Sequence, residues 1–190
     1  MAIKLIVGLG NPGPQYKDTR HNAGSWFISK LCDHYHTKLQ IESKFKSLVA
    51  QIDVGTQNCK LAIPTTYMNL SGDTVSTLSK FYNIQPEEIL IAHDELDLPV
   101  GSVRLKLEGG HGGHNGLRDI FAKLGTRAFY RLRIGISHPG HKDDVVNYVL
   151  HKPSIDDGIK IINSLESAID ILPYLLRGEC EQAMKQLHTS

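Results

Sequence analysis

The chain has 190 residues, 41% apolar and 22% charged, with a formal net charge of +1; this is the balance of a globular protein and excludes a disordered or fibrous one. No apolar run is long enough to span a bilayer, and the N-terminus lacks the basic-then-apolar pattern of a secretory signal. A cytoplasmic protein that does not meet the membrane is therefore expected.

In chain order, strand-like apolar runs fall at Ile3–Leu9, Ser47–Val54, Lys60–Ile63, Ile89–Ala92, Ser102–Leu107 and Tyr130–Ile136. The second and third are separated by Gly55-Thr56-Gln57-Asn58, a candidate hairpin loop. Helical patterns occupy about Ala23–His36, Leu70–Tyr82 and Leu117–Leu124. Ile155, Ile159, Ile162, Ile169 and Leu172 then mark one apolar face of a further helix, and Gly178 breaks the pattern before a short last one. Strands alternating with helices predict one α/β domain over 1–190. Its twisted mixed β-sheet is flanked by helices in three layers, with a C-terminal helical segment. Cys32, Cys59 and Cys180 stand far apart with no C-x-x-C pair, which suits free thiols in a reducing compartment.

Charge is unevenly distributed. Residues 104–142 carry eight basic residues against Glu108 and Asp119, while the segments before and after are net acidic. Such a block predicts one face turned toward a polyanion.

Gly8, Gly10 and Gly13 spell G-x-G-x-x-G directly after the first strand. A dinucleotide-binding turn needs that strand to pass straight into a helix whose first amides hold a pyrophosphate. Pro12 and Pro14 interrupt the turn; Pro12 has no N–H to offer and keeps Asn11 out of helical angles. Asp33, twenty positions beyond Gly13, falls inside the first helix rather than at the end of a second strand. The loop instead presents Asn11 at the end of the first strand, where open α/β sheets bind ligands.

Four more polar stretches stand beside predicted strands or helices: Thr19-Arg20-His21-Asn22, Thr65-Thr66-Tyr67-Met68-Asn69, His93-Asp94-Glu95 and Gly109-Gly110-His111-Gly112-Gly113-His114-Asn115-Gly116. They are expected to converge on one crevice. No G-x-S-x-G serine and no nearby cysteine offers a nucleophile. A His–Asp pair can activate water instead, and asparagine amides can hold a developing oxyanion. His21 with Asp94, and Asn69 as donor, would hydrolyse an activated carbonyl. Two other readings stand beside this one. Asn69 and Asn115 can be helix N-caps; His111 and His114, with His93 and Asp94, can be metal ligands.

Taken together, Leu9-Gly10-Asn11-Pro12-Gly13, Tyr16-x-x-Thr19-Arg20-His21-Asn22, Pro64-Thr65-Thr66-Tyr67-Met68-Asn69, His93-Asp94-Glu95-Leu96-Asp97 and the glycine-rich run to Leu117 resemble the bacterial-type peptidyl-tRNA hydrolases. The likeness extends through Arg131-Leu132-Arg133-Ile134-Gly135 to about residue 153. The resemblance implies a monomeric α/β hydrolase without cofactor or metal. It would cleave the ester between a peptide and the 3′-terminal ribose of tRNA, meeting the acceptor stem and CCA end. It further implies His21 as general base and Asp94 as its orienting partner. Asn11, Tyr16, Met68, Asn69, His114 and Asn115 would stand against the substrate, and Lys106 and Arg133 would grip a tRNA phosphate. A non-enzymatic RNA-binding relative on the same fold, and a metal hydrolase, are the alternatives.

Overall fold

The computed structural model describes residues 1–189. Within them the strands are β1 (Leu5–Gly8), β2 (Gln40–Glu42), β3 (Ser47–Val54), β4 (Gln57–Pro64), β5 (Ile89–Glu95), β6 (Val103–Leu107) and β7 (Tyr130–Gly135). They form one mixed sheet in the order β2-β3-β4-β1-β5-β7-β6. The four inner strands β4, β1, β5 and β7 run parallel, while β2, β3 and β6 pair antiparallel at the flanks. β1 is buried at all four residues, as a central parallel strand covered on both faces must be.

Helices cover both faces. α2 (Ser71–Phe81) and α3 (Asn115–Leu124) close over Leu5, Val7, Ile89, Ile91 and Phe129. α1 (Ala23–His34), α5 (Ile155–Asp170), α6 (Leu172–Leu176) and α7 (Cys180–Thr189) bury Ile6, Leu90, Leu105, Leu132 and Ile134 on the other face. α4 (Val145–Val149) lies between β7 and α5 in sequence. The expected three layers are present. Two glycines set how closely α1 sits on the sheet: a Cβ on Gly24 would lie 2.2 Å from Ala92 O, and one on Gly8 2.2 Å from Gly24 O. Gly8 of the glycine-rich loop therefore serves helix–strand packing, and α1 begins only at Ala23, beyond Pro12 and Pro14.

Several boundaries differ from the sequence expectation, each for a physical reason. The β3–β4 hairpin turns on Gly55-Thr56 alone, with Val54 opposite Gln57 and Gly55 at φ +63°. Its Gln57 and Asn58 are polar because they are exposed, not because pairing has stopped. β2 escapes the apolar pattern because it is a three-residue edge strand with Ile41 exposed. Along α5 the core side is Ile161, Ser164, Leu165, Ala168 and Ile169, whereas Ile155 and Ile159 face solvent. Of the face expected from the sequence, Ile169 and Leu172 are buried in the core, and only its N-terminal part, Ile155, Ile159 and Ile162, turns outward.

Candidate active site

The inner strands end together, and the polar stretches that follow them line one cavity of about 840 Å³, within the size range of small-ligand sites. All ten residues singled out from the sequence stand on its wall: Asn11, Tyr16, His21, Met68, Asn69, Asp94, Lys106, His114, Asn115 and Arg133.

Asp94 is central and lies within β5 rather than in the turn after it, since the strand runs on to Glu95. Its Oδ2 lies 2.9 Å from His21 Nδ1 and its Oδ1 2.8 Å from His114 Nε2. One carboxylate is thus shared by two imidazoles whose rings are 4.9 Å apart. His114 is the N-cap of α3, its Nδ1 accepting from Gly116 N–H and Leu117 N–H. An Nδ1 that accepts leaves the proton on Nε2, so His114 donates to Asp94 as a neutral imidazole. Both its ring nitrogens are used inside the protein, and only ring edge and face are left for the cavity. The cap expected at Asn115 therefore belongs to His114; Asn115 is the first helical residue, and its Oδ1 accepts from Arg118.

Burial alone would raise the Asp94 carboxyl, but the two histidines outweigh it and hold the group well below the ordinary carboxylate range. At His21 burial works to lower the imidazole, and the charge and hydrogen bond of Asp94 overcome it, so the net displacement is upward. Behind them His93 is buried, its Nδ1 donating to Asp94 O. Burial pushes it down to about 3, which keeps it neutral.

The amide side of the cavity is held by a second chain of bonds. Asn22 and Asn11 form a reciprocal pair, Asn11 N–H to Asn22 Oδ1 and Asn22 Nδ2 to Asn11 O, both 2.9 Å. Asn11 Oδ1 accepts from Met68 N–H at 2.8 Å. With that oxygen committed, the Asn11 NH₂ is the group offered to the cavity. Asn69 lies in a single 3₁₀ turn, Met68–Leu70, and is exposed on the wall rather than capping α2; the cap position is Leu70, and Asp119 of α3 accepts from Gly72 N–H instead. Tyr16 meets Tyr67 edge-to-face.

The basic block contributes Lys106, Arg131, Arg133 and Lys142 to the wall. The β6–β7 register sets Lys106 opposite Arg131 and Arg104 opposite Arg133. Arg133 Nε donates to Glu95 at 2.8 Å, and Lys123 is taken up by Asp73. Arg131 is buried, with Nη1 on Gly110 O and its Nε and Nη2 without a protein partner. The block is therefore divided between structural ties and cavity wall rather than forming one free face. The apolar part of the wall is Leu96, Val145, Val146, Val149 and Leu150, the last four from the stretch 137–150 whose Pro139-Gly140 break sets it over the crevice in the sequence reading. The run V-V-x-x-V-L after that break is too short to announce a helix.

The family model for peptidyl-tRNA hydrolase matches residues 5–190. The chain belongs to the peptidyl-tRNA hydrolase family. The peptidyl-tRNA hydrolase of Legionella pneumophila (strain Paris) is 53% identical over 188 residues, covering 99% of this chain and all of the relative. That of Coxiella burnetii (strain CbuG_Q212) is 52% identical over 187 residues, 98% of each chain. The crystal structure of the peptidyl-tRNA hydrolase from Acinetobacter baumannii superposes with a TM-score of 0.94 at 48% identity, covering 97% of this chain and 94% of that one. Membership places the chain among hydrolases of the ester bond in peptidyl-tRNA. Among the described residues no helix is long and apolar enough to cross a membrane.

Proposed function

We propose that the chain hydrolyses peptidyl-tRNA by activating water on His21, with Asp94 fixing the tautomer and balancing the charge that forms. The observation that carries this reading is the shared carboxylate. With His21 Nδ1 held on Asp94 Oδ2 at 2.9 Å, Nδ1 carries the proton and Nε2 is the nitrogen left to the cavity. A water between Nε2 and the ester carbonyl gives up its proton to Nε2 as its oxygen bonds to carbon. The tetrahedral oxyanion accepts from the amides of Asn11 and Asn69. The carbon–oxygen bond to the ribose then breaks, and the imidazolium returns the proton to the leaving ribose oxygen. General-base help of this kind is worth about 10²–10⁴-fold, and one oxyanion donor about 10²–10³-fold. Tyr16 and Met68 shape the wall beside the ester, the ring of His114 closes the cavity behind it, and Asn115 positions the water or the tRNA end. Lys106 and Arg133 hold a phosphate of the acceptor stem, and the chain works as a monomer.

A metal-assisted route is the second reading, because His21, Asp94 and His114 bring three donor atoms within 4.8 Å of one another. The donor chemistry does not suit it. A metal-bound histidine normally donates through its other nitrogen, whereas His114 accepts there from two backbone N–H groups. Binding through Nε2 would cost the α3 cap. The test is cleavage of an N-blocked aminoacyl-tRNA with and without EDTA, for the unaltered chain and for His21→Ala. Activity that survives EDTA and falls by orders of magnitude in His21→Ala is expected. Loss in EDTA would favour the metal, and tight tRNA binding without any cleavage would mean an RNA-binding protein.

A further inference from the structure

In Thr19-Arg20-His21-Asn22, Arg20 and Asn22 take no part in the proton transfers above, and each ties the turn to a different neighbour. Asn22 ties it to Asn11. On the other side, Arg20 N–H donates to His151 O at 3.1 Å. Arg20 Nη1 donates to Tyr148 O at 2.9 Å and to His151 O at 3.2 Å. The guanidinium carbon lies 3.9 Å from the centroid of the Tyr148 ring, and the Tyr148 hydroxyl donates to Ile136 O just past β7. No carboxylate lies within ion-pair distance of Arg20 among the described residues. Its charge is spent on the carbonyls at the C-terminal end of α4 and on an aromatic face, both of which favour a cation.

These ties matter because neither element can hold its own shape. α4 has five residues and the turn bearing His21 has three, both too short to persist without tertiary support. α4 and the residue after it bring Val145, Val146, Val149 and Leu150 to the cavity. We propose that Arg20 is a positioning residue, bracing the turn that bears His21 against α4 so that the base and the apolar wall keep one geometry. The inference rests on the reading of His21 as base. Without the brace the turn loosens, the contact of His21 with Asp94 lengthens, and Nε2 loses its aim.

The experiment compares the unaltered chain with Arg20→Ala, Arg20→Lys and His21→Ala on an N-blocked aminoacyl-tRNA from about pH 5 to about pH 9, spanning the histidine range. The charged and titratable groups facing His21 are Asp94 from β5 and His114 at the head of α3, with Arg20 on its own turn and neutral His93 behind. Arg20→Ala should lower kcat by about ten- to a hundred-fold, the effect of a small misplacement of a catalytic group, with KM nearly unchanged. The acid limb of its pH profile should move to lower pH, because a loosened Asp94 no longer offsets burial at His21. Arg20→Lys, which keeps the charge and one donor, should recover part of both effects. A uniform loss of activity with an unmoved acid limb would reduce Arg20 to fold stability and overturn the proposal. So would an Arg20→Ala profile matching the unaltered chain while His21→Ala is dead. If His21→Ala stays active, the reading of the base itself falls, and the brace with it.

Discussion

Replacing Asp94 by Asn tests the site more sharply than deleting it, because the geometry dictates how the amide must sit. Asp94 accepts from both His21 Nδ1 and His114 Nε2, whereas an asparagine has one oxygen and one NH₂. His114 cannot adapt: its Nδ1 accepts from Gly116 and Leu117, so its Nε2 must keep the proton and claim the amide oxygen. The NH₂ is left facing His21, whose Nδ1 must then accept and whose proton moves to Nε2. The base would point an N–H at the water where it needs a lone pair. Loss of a carboxylate partner with inversion of the tautomer costs about 10⁴ in kcat in a hydrolytic triad, or about 5.5 kcal/mol. A fall of about 10³–10⁴ in kcat is expected here, with KM within about two-fold because no group that meets tRNA has changed. Burial alone would then act on His21, and burial lowers it, so the acid limb should pass from above 6.5 to below it. Initial rates on N-blocked aminoacyl-tRNA across pH measure both, and ¹⁵N shifts of the His21 ring report the tautomer. A loss under ten-fold, or a ring that keeps its proton on Nδ1, would refute the reasoning.

Three further outcomes follow from the same geometry. Asn11→Asp keeps an acceptor for Met68 N–H but replaces the NH₂ that faces the cavity, so kcat should fall by about 10²–10³ while the thermal midpoint holds; equal losses in both would make Asn11 structural. Lys106→Ala should weaken tRNA binding alike for different tRNAs and reduce the slope of log K against log salt by about one, and an unchanged slope would remove Lys106 from phosphate contact. Gly24→Ala sets a methyl against Ala92 O and Leu9 N, both backbone, and should cost about 2 kcal/mol or more, seen as a Tm lower by roughly 5 °C. An unshifted Tm would show that α1 can lift from the sheet at no cost.

Much of this was legible because the chain marks its strands with apolar runs and its site with amides and imidazoles placed beside them. The ten residues singled out from the sequence share one cavity wall, although they are spread from Asn11 to Arg133. What remained hidden depends on tertiary direction. The resemblance set His114 against substrate, but only the fold shows that one of its nitrogens caps α3 and the other meets Asp94. Lys106 and Arg133 were paired by resemblance, while the register sets Lys106 opposite Arg131. The outward Ile155, Ile159 and Ile162 share the period of the buried Ile169 and Leu172, and periodicity cannot say where along the helix that face leaves the core. The brace from Arg20 to Tyr148 joins residues that no local pattern relates.

The burial of Asp94 explains why the site takes this form. An unpaired buried carboxylate would bear a large desolvation cost and would take up a proton. Here two N–H donors converge on it, one from each side of the sheet's end, and the charge is kept. The two donors are not equivalent. His114 is fixed by the α3 backbone, whose two N–H groups occupy its Nδ1, so its bond to Asp94 does not change during the reaction. His21 has an open nitrogen and can gain a second proton. On the proposed route the carboxylate is held by one imidazole and responds to the other, which would confine protonation in the cycle to His21 Nε2. That asymmetry follows from the choice of cap residue on α3. Replacing His114 by an ordinary cap such as Ser would retain the helix but leave Asp94 Oδ1 without its N–H donor, and the acid limb set by His21 would move with it.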